Sequence, residues 1–282
     1  MDAVNIVAWE GRTTTTTGSV SAALAAQIHA TLDMTGAPPP AEGEPLPPLW
    51  HWCAFPTCVP TGELGSDGHP HLGDFLPPIH LSRRMWAGGS LDFHAPIAVG
   101  DPLSVRSTIV KIDEKTRETD PMVFVTVAHE LRGPRGLAVR ERQTIVYLNI
   151  PAEFSPPRKR PMPEAPADHR VFPVGETTLF RFSAITFNAH RIHYDLKYTQ
   201  DTERYPALVI HGPLQAMKLM DLARARRGGP PAHFEFRGVH PMFLGAPLDL
   251  MAMEEDDGGL ALHAGQSGHQ GTVARAFWEG TV

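Results

Sequence analysis

The sequence predicts an α+β protein made of two similar halves, each an antiparallel sheet packed around a helix, and three observations carry that prediction. The chain has 282 residues, more than one domain usually needs. A helical segment followed by strand-like runs occurs twice along it. A short string of the first half also recurs in the second: Pro96-Ile97-Ala98-Val99-Gly100-Asp101-Pro102-Leu103 aligns with Pro241-Met242-Phe243-Leu244-Gly245-Ala246-Pro247-Leu248, preceded by Asp92-Phe93 and Glu235-Phe236. The offset, 241 minus 96, is 145 residues, about half the chain, which reads as an internal duplication. Two strand turns that both want Gly and Pro would leave similar letters.

The first helix is predicted after Gly18, where Ser19 can cap it and Val20, Leu24, Ile28 and Leu32 recur on one face. Gly36 and the prolines from Pro38 to Pro40 stop it. Prolines stay frequent to Pro78 and aromatics gather at Trp50, Trp52 and Phe55, so this stretch is predicted to be a long ordered loop, either covering a ligand or packed on its own aromatics. Between Leu91 and Tyr147 the runs LSVRSTIVKI, MVFVTVAHEL and AVRERQTIVYL predict an antiparallel meander. Prolines at 151, 156, 157, 161, 163 and 166 then mark a stiff connection, placing a first half at 1–150, a linker at 151–172 and a second half at 173–282. A second helix starts at Pro213, where LQAMKLMDLA is apolar almost all round, as for a helix buried against a sheet, and Gly228, Gly229 and Pro230 end it. FEFRG, PLDLMAM and TVARAFWEG follow as strands.

Composition narrows the function classes. With 42% hydrophobic and 20% charged residues the chain can build a core. A formal charge of -6 argues against nucleic acid as a general partner. No basic segment leads into an apolar run at the N-terminus, and no stretch reaches the roughly 20 apolar residues of a membrane span, so a cytoplasmic protein is the expectation. Cys53 and Cys58 do not read as a disulfide framework. His51, His69, His71 and His80 lie near them, but the spacing matches no metal-ligand pattern, and they are read as surface or core residues.

The chemistry concentrates in Phe182-Ser183-Ala184-Ile185-Thr186-Phe187-Asn188-Ala189-His190-Arg191-Ile192-His193-Tyr194-Asp195 and in Ile210-His211-Gly212-Pro213. The first string resembles the hydratase motif of the MaoC-like enoyl-thioester hydratases, Ser/Thr-Gly-Asp-x-Asn-Pro-x-His, which is followed by His-Gly at the start of a helix. The Phe-Asn-x-His-Arg-Ile-His-Tyr-Asp run is most similar to the fungal-type hydroxyacyl-thioester dehydratases and the mesaconyl-C4-CoA and itaconyl-CoA hydratases. Arg83-Arg84-Met85-Trp86-Ala87-Gly88-Gly89 resembles their N-terminal domain, so the likeness spans roughly residues 45–282. It implies a double hot-dog fold, two bent sheets each wrapped around a central helix, with the active site in the second half.

The resemblance also implies a hydro-lyase acting on an acyl-CoA, without metal or redox cofactor, and often with further association into a homo-oligomer. His193 takes the place of the catalytic histidine. Asn188 stands where the motif has Asp, so it can orient water but cannot titrate. Water added to C3 of an enoyl thioester needs a base, and C2 needs a proton; histidine serves both near neutral pH. Gly212, at a helix start, is expected to donate its N–H to the enolate oxygen. His190, Arg191 and His211 are expected to bind substrate. Because mesaconyl-C4-type substrates carry a carboxylate on the carbon that receives water, Asn188 would remove a repulsion and Arg191 would supply a counter-charge. The alternative for Arg191 is pairing with a local acid; Tyr194 and Asp195 are read as structural. The reaction the resemblance implies first is hydration of mesaconyl-C4-CoA or itaconyl-CoA to citramalyl-CoA, with (3R)-hydroxyacyl-thioester dehydration as runner-up; thioester cleavage and acyl-thioester binding without catalysis are the competing functions of another class, since a fold does not fix chemistry.

Overall fold

Ten strands pair edge to edge into one antiparallel sheet whose order repeats itself in mirror fashion. The computed structural model describes residues 5–117 and 120–278. The strands are β1 Thr13–Gly18, β2 Arg83–Phe93, β3 Leu103–Arg117, β4 Asp120–Gly133, β5 Gly136–Leu148, β6 Asp168–Phe172, β7 His233–Gly238, β8 Leu248–Glu254, β9 Leu260–Gln266 and β10 His269–Phe277. Across the sheet they run β1-β3-β4-β5-β2-β7-β10-β9-β8-β6. Counted outward from the central β2–β7 pair, each half presents its second, fifth, fourth, third and first strands, the arrangement a duplication produces. Leu91 faces Phe234 in that pair, and His233 Nδ1 meets Asp92 Oδ1 at 2.6 Å, so each half covers the other's open edge.

The repeated string occupies equivalent places. It leads from β2 into β3 and from β7 into β8, with Gly100 at φ +86° and Gly245 at φ +125° in the two turns. The Ile97 carbonyl accepts from Leu46 N–H at 2.8 Å, and the Met242 carbonyl accepts from Ile210 N–H at 2.8 Å. Val99 N–H donates to Glu44 (2.9 Å), as Leu244 N–H does to Leu208 (2.8 Å). Residues 44–46 therefore correspond to 208–210.

The helices are α1 Ala22–Thr31, α2 Glu176–Thr186, α3 Leu196–Asp201 and α4 Gly212–Arg227. The cap of α1 is Ser21, which accepts from Leu24 N–H, rather than Ser19 as the sequence suggested; Ile28 and Leu32 are buried as expected. Helix α4 is buried through Leu214, Met217, Leu219, Met220 and Ala223. It lies against β8–β10, whose inward positions carry Leu250, Ala252, Leu262, Ala264, Ala274 and Ala276; the alanines leave room for the helix at core density. Gly228 ends it in the left-handed conformation.

Several elements escaped the sequence reading. β1 is a run of threonines; β2 begins at Arg83, well before Leu91; β6 lies inside the stretch expected to be linker; β9 and α2 were not predicted. The expected loop from Pro38 to Pro78 holds only short 3-10 turns, at Trp50–Cys53 and Thr61–Glu63. Glu279 and Gly280, the end of the last predicted run, lie outside the described residues. No described helix is long and apolar enough to cross a membrane.

Candidate active site

His193 closes a one-turn 3-10 helix, Arg191–His193, between α2 and α3. This turn follows α2 because Phe187 ends that helix with a left-handed φ of +51°, and Asn188 Oδ1 then accepts from His190 N–H at 3.0 Å, a local turn that asparagine favours. Asp195 caps α3 by accepting from Tyr198 N–H at 2.9 Å. The 188–195 loop is thus fixed at both ends by short side chains bonding to backbone.

The His193 ring is 7% exposed, and its Nδ1 lies 2.7 Å from the Val209 carbonyl oxygen, an acceptor. That nitrogen must carry the proton, which leaves Nε2 as the basic atom. Burial pushes the pKa down to about 4, against the Val209 hydrogen bond, which raises it, and with a smaller lowering from His69. The imidazole is neutral at pH 7 and can accept a proton. His211 stacks flat on it, with ring centroids 3.6 Å apart and planes 20° from parallel, and Ser183 Oγ meets His211 Nε2 at 2.9 Å. Burial, and then the neighbouring His193 and His190, hold His211 far below the usual histidine range, so the stack carries no charge repulsion.

A cleft of about 1770 Å³ opens over this stack. His193, Asn188, His190, His211 and Gly212 all line it, so the sequence-predicted groups other than Arg191 are brought together. Gly212 is the first residue of α4, and its amide has no acceptor within the helix. A Cβ at this position would meet nothing within 4 Å; the glycine faces open space that a ligand can enter. Because Asn188 Oδ1 is occupied by His190 N–H, the Asn188 amide group that remains is a donor.

Arg191, expected to bind substrate, is paired within the protein, the alternative the sequence also allowed. Its guanidinium bonds Asp195 Oδ2 from Nε (3.1 Å) and NH2 (2.7 Å), donates to the Ser66 carbonyl at 2.9 Å, and lies 4.2 Å from the Tyr198 ring centroid. It is absent from the cleft lining and ties the 188–195 loop to the first half. His211, also expected to bind substrate, borders the cleft but is 1% exposed and stacked on the His193 ring.

The first half contributes residues the sequence reading left in the background. The turn Gly65–His69 docks on the 188–195 loop: Asp67 O accepts from Arg191 N–H at 2.9 Å, and Gly68, at φ +88°, packs so closely that a Cβ would sit 1.9 Å from Ala189 O. Asp67 Oδ2 bonds His69 Nδ1 at 2.8 Å, and the His69 ring lies 4.1 Å from that of His190. Burial raises the Asp67 carboxyl, but its bonds to His69, with Arg84 beyond, hold it well below the carboxylate range. The acid two residues before a histidine in a Gly-flanked turn was the available signal. Asp67, His69 and His190 offer ligand atoms within 4.8 Å of one another, yet Asp67 and His69 already satisfy each other and the Arg84 charge opposes a cation. On β2, buried Arg83 pairs with Glu203 through Nε–Oε2 at 2.7 Å and also donates to the Glu203 carbonyl, joining the two halves beside the cleft.

A neutral imidazole with its Nδ1 held by a backbone carbonyl, lining the same roomy cleft as a helix-start amide, suits proton transfer at a thioester with the enolate charge received by backbone. Residues 49–244 match the family described as Hydroxyacyl-thioester dehydratase type 2. The chain belongs to that family. It is 42% identical to the mesaconyl-C(4)-CoA hydratase of Chloroflexus aurantiacus over 91% of this chain and 92% of the relative. It is 28% identical to the mitochondrial hydroxyacyl-thioester dehydratase type 2 of Schizosaccharomyces pombe over 74% and 78% of the two chains. Among solved structures, a MaoC-like dehydratase from Phytophthora capsici aligns with a TM-score of 0.72 at 12% identity, covering 99% of each chain. A Mycobacterium tuberculosis protein described as a double hotdog fold aligns with a TM-score of 0.57 at 13% identity over 95% of each. The fold is therefore the double hot-dog expected from the motif, and the family's chemistry makes the chain a hydro-lyase.

Proposed function

We propose that this hydro-lyase adds water to mesaconyl-C4-CoA to give citramalyl-CoA, with the second half bearing the reacting groups and the first half completing the cleft. The observation that carries the reading is the His193 ring, held through Nδ1 by the Val209 carbonyl with Nε2 left for the cleft and for the start of α4. The identity to a hydratase of that substrate supports the choice of acyl group.

Water held by the Asn188 amide donor attacks the β-carbon while His193 Nε2 takes its proton. The electron pair of the double bond moves to the thioester oxygen, where Gly212 N–H receives the negative charge. The imidazolium then returns its proton to the α-carbon, restoring the thioester and neutral His193, so one imidazole serves as base and acid. A panel of mesaconyl-C4-, itaconyl- and crotonyl-CoA, followed by loss of the enoyl-thioester absorbance with mass detection of product, tests the assignment. The expected result is a gain of one water on mesaconyl-C4-CoA in preference to the others. Release of free CoA without hydration would replace it with a thioesterase, and preferential turnover of a straight-chain enoyl thioester would favour the dehydratase reading that the Schizosaccharomyces pombe relative supports.

A further inference from the structure

A dicarboxylic enoyl thioester brings a free carboxylate into the cleft on the very carbon that takes water. Four histidines surround that region, and the three at His190, His193 and His211 are neutral, so they offer no counter-charge. Arg191, the cation nearest in sequence, is committed to Asp195 and Ser66. The basic side chains that do line the cleft are Arg83 and Arg84. Arg83 is spent on Glu203 and lies over the Tyr205 ring, 4.4 Å from its centroid.

Arg84 is different. It is half-buried, and among the described residues it makes no ion pair; its guanidinium reaches the Pro70 carbonyl only at 3.4 Å and borders the Tyr147 hydroxyl. Pro70 follows His69, whose ring touches His190, which in turn stands 5.6 Å from His193 between centroids. The Arg84 charge is felt at Asp67, His69 and His190. A half-buried guanidinium with no ion pair among the described residues, on the wall of the cleft that His193 also lines, is a cation that an anionic ligand can reach and pair with.

We propose that Arg84 is the carboxylate subsite of this cleft, holding the acid group that a dicarboxylic acyl thioester carries on its β-carbon. The inference rests on the hydratase reading for its catalytic consequence but has its own binding signature. Succinyl-CoA places a carboxylate on the β-carbon where butyryl-CoA has a methyl group, and neither has a double bond to hydrate. Titration calorimetry of both thioesters on the full-length protein, wild type, Arg84→Gln and Arg84→Lys, isolates the subsite from turnover. Arg84→Gln is expected to weaken succinyl-CoA by about 10- to 100-fold, the range for a charge-assisted hydrogen bond, while butyryl-CoA changes less than about threefold. Arg84→Lys should recover part of the loss, because charge remains and the fork geometry does not. Mesaconyl-C4-CoA and crotonyl-CoA kcat/KM values should split the same way. Equal weakening of both saturated thioesters would assign Arg84 to the CoA portion or to the fold and overturn the proposal, as would no weakening of either. Absence of hydration in the wild type, with the binding split intact, would instead overturn the hydratase reading and leave the subsite standing.

Discussion

The two halves share one strand order but fill their sheets with different things, and the site exists because of the difference. Residues 44–46 and 208–210 pair equivalently with the repeated string, so the chain beyond each pair can be compared directly. After 210 comes the 16-residue α4; after 46 comes the 3-10 turn Trp50–Cys53, with Trp50 wholly buried in place of a helix turn. The chain then wanders through residues 54–82, packs Leu72, Phe75 and Leu76 on the core of β3–β5, and lines the cleft with Phe55, Val59, Leu64 and His69. Among the described residues a long helix of this kind starts at the cleft only in the second half, and in the first half the cleft is lined instead by this irregular chain.

The sharpest way to break this comparison uses two buried histidines. His193 lines the cleft; His51 lies in the first-half turn, 3.5 Å from Glu141. His193→Gln is expected to lower kcat by about 10³-fold or more, since one imidazole acts as both base and acid. His51→Gln should leave kcat within about threefold of wild type and cost mainly stability, because it weakens the surroundings of a buried carboxylate. Steady-state hydration rates with thermal melts separate the two; comparable kcat losses would mean that the halves share the chemistry.

The next effect tests the seam between halves. Arg83→Ala leaves Glu203, 1% exposed, as a buried charge without its cation, and is expected to cost about 3–5 kcal/mol in urea unfolding. The double variant Arg83→Met with Glu203→Leu should regain much of that, because removing both charges removes the desolvation cost together with the attraction. A small effect of the single variant would mean that the halves are joined chiefly through the β2–β7 pair.

Legibility followed the same division. The second half was the more legible: His193, His211, Asn188 and Gly212 sit in two short strings whose spacing reflects local geometry, and the fold brings all four to one cleft. What the letters could not say was the destination of Arg191, because a pairing with Asp195 four residues on and a reach into a cleft use the same side chain. In the first half, the meander of β3–β5 was legible from alternation, but β1, an exposed threonine run, lacks an apolar pattern. For Asp67 and His69 the only local signal was an acid two residues before a histidine in a Gly-flanked turn, since the approach of His69 to His190 depends on a docking more than 100 residues away in sequence.

That docking can be sharpened with two glycines of one loop. Gly68→Ala must place a Cβ against the Ala189 carbonyl at a positive φ, whereas Gly62→Ala meets nothing within 4 Å. Backbone strain of about 1–3 kcal/mol is expected for the first and little for the second. Gly68→Ala should also reduce kcat/KM several-fold by moving His69 and the catalytic loop apart, while Gly62→Ala retains wild-type rates. Equal behaviour of the pair would show that the turn does not position the loop.

The smallest and most diagnostic effect is in pH. The unfolded chain titrates at residue 193 near 6.5, whereas burial lowers the folded value to about 4. Between those values the unfolded chain binds a proton that the folded protein refuses, so stability is full above 6.5 and declines as pH falls toward 4. The slope is at most about 1.4 kcal/mol per pH unit from this group. The same neutral imidazole is the base, so kcat/KM should stay flat through pH 6.5 and fall only on approaching 4. A pH–rate profile with unfolding curves at pH 5 and 7 checks both. An acid limb centred at 6.5 would mean that the ring is solvated and that the Val209 contact does not hold it inside, which would remove the physical basis for assigning the chemistry to the second half alone.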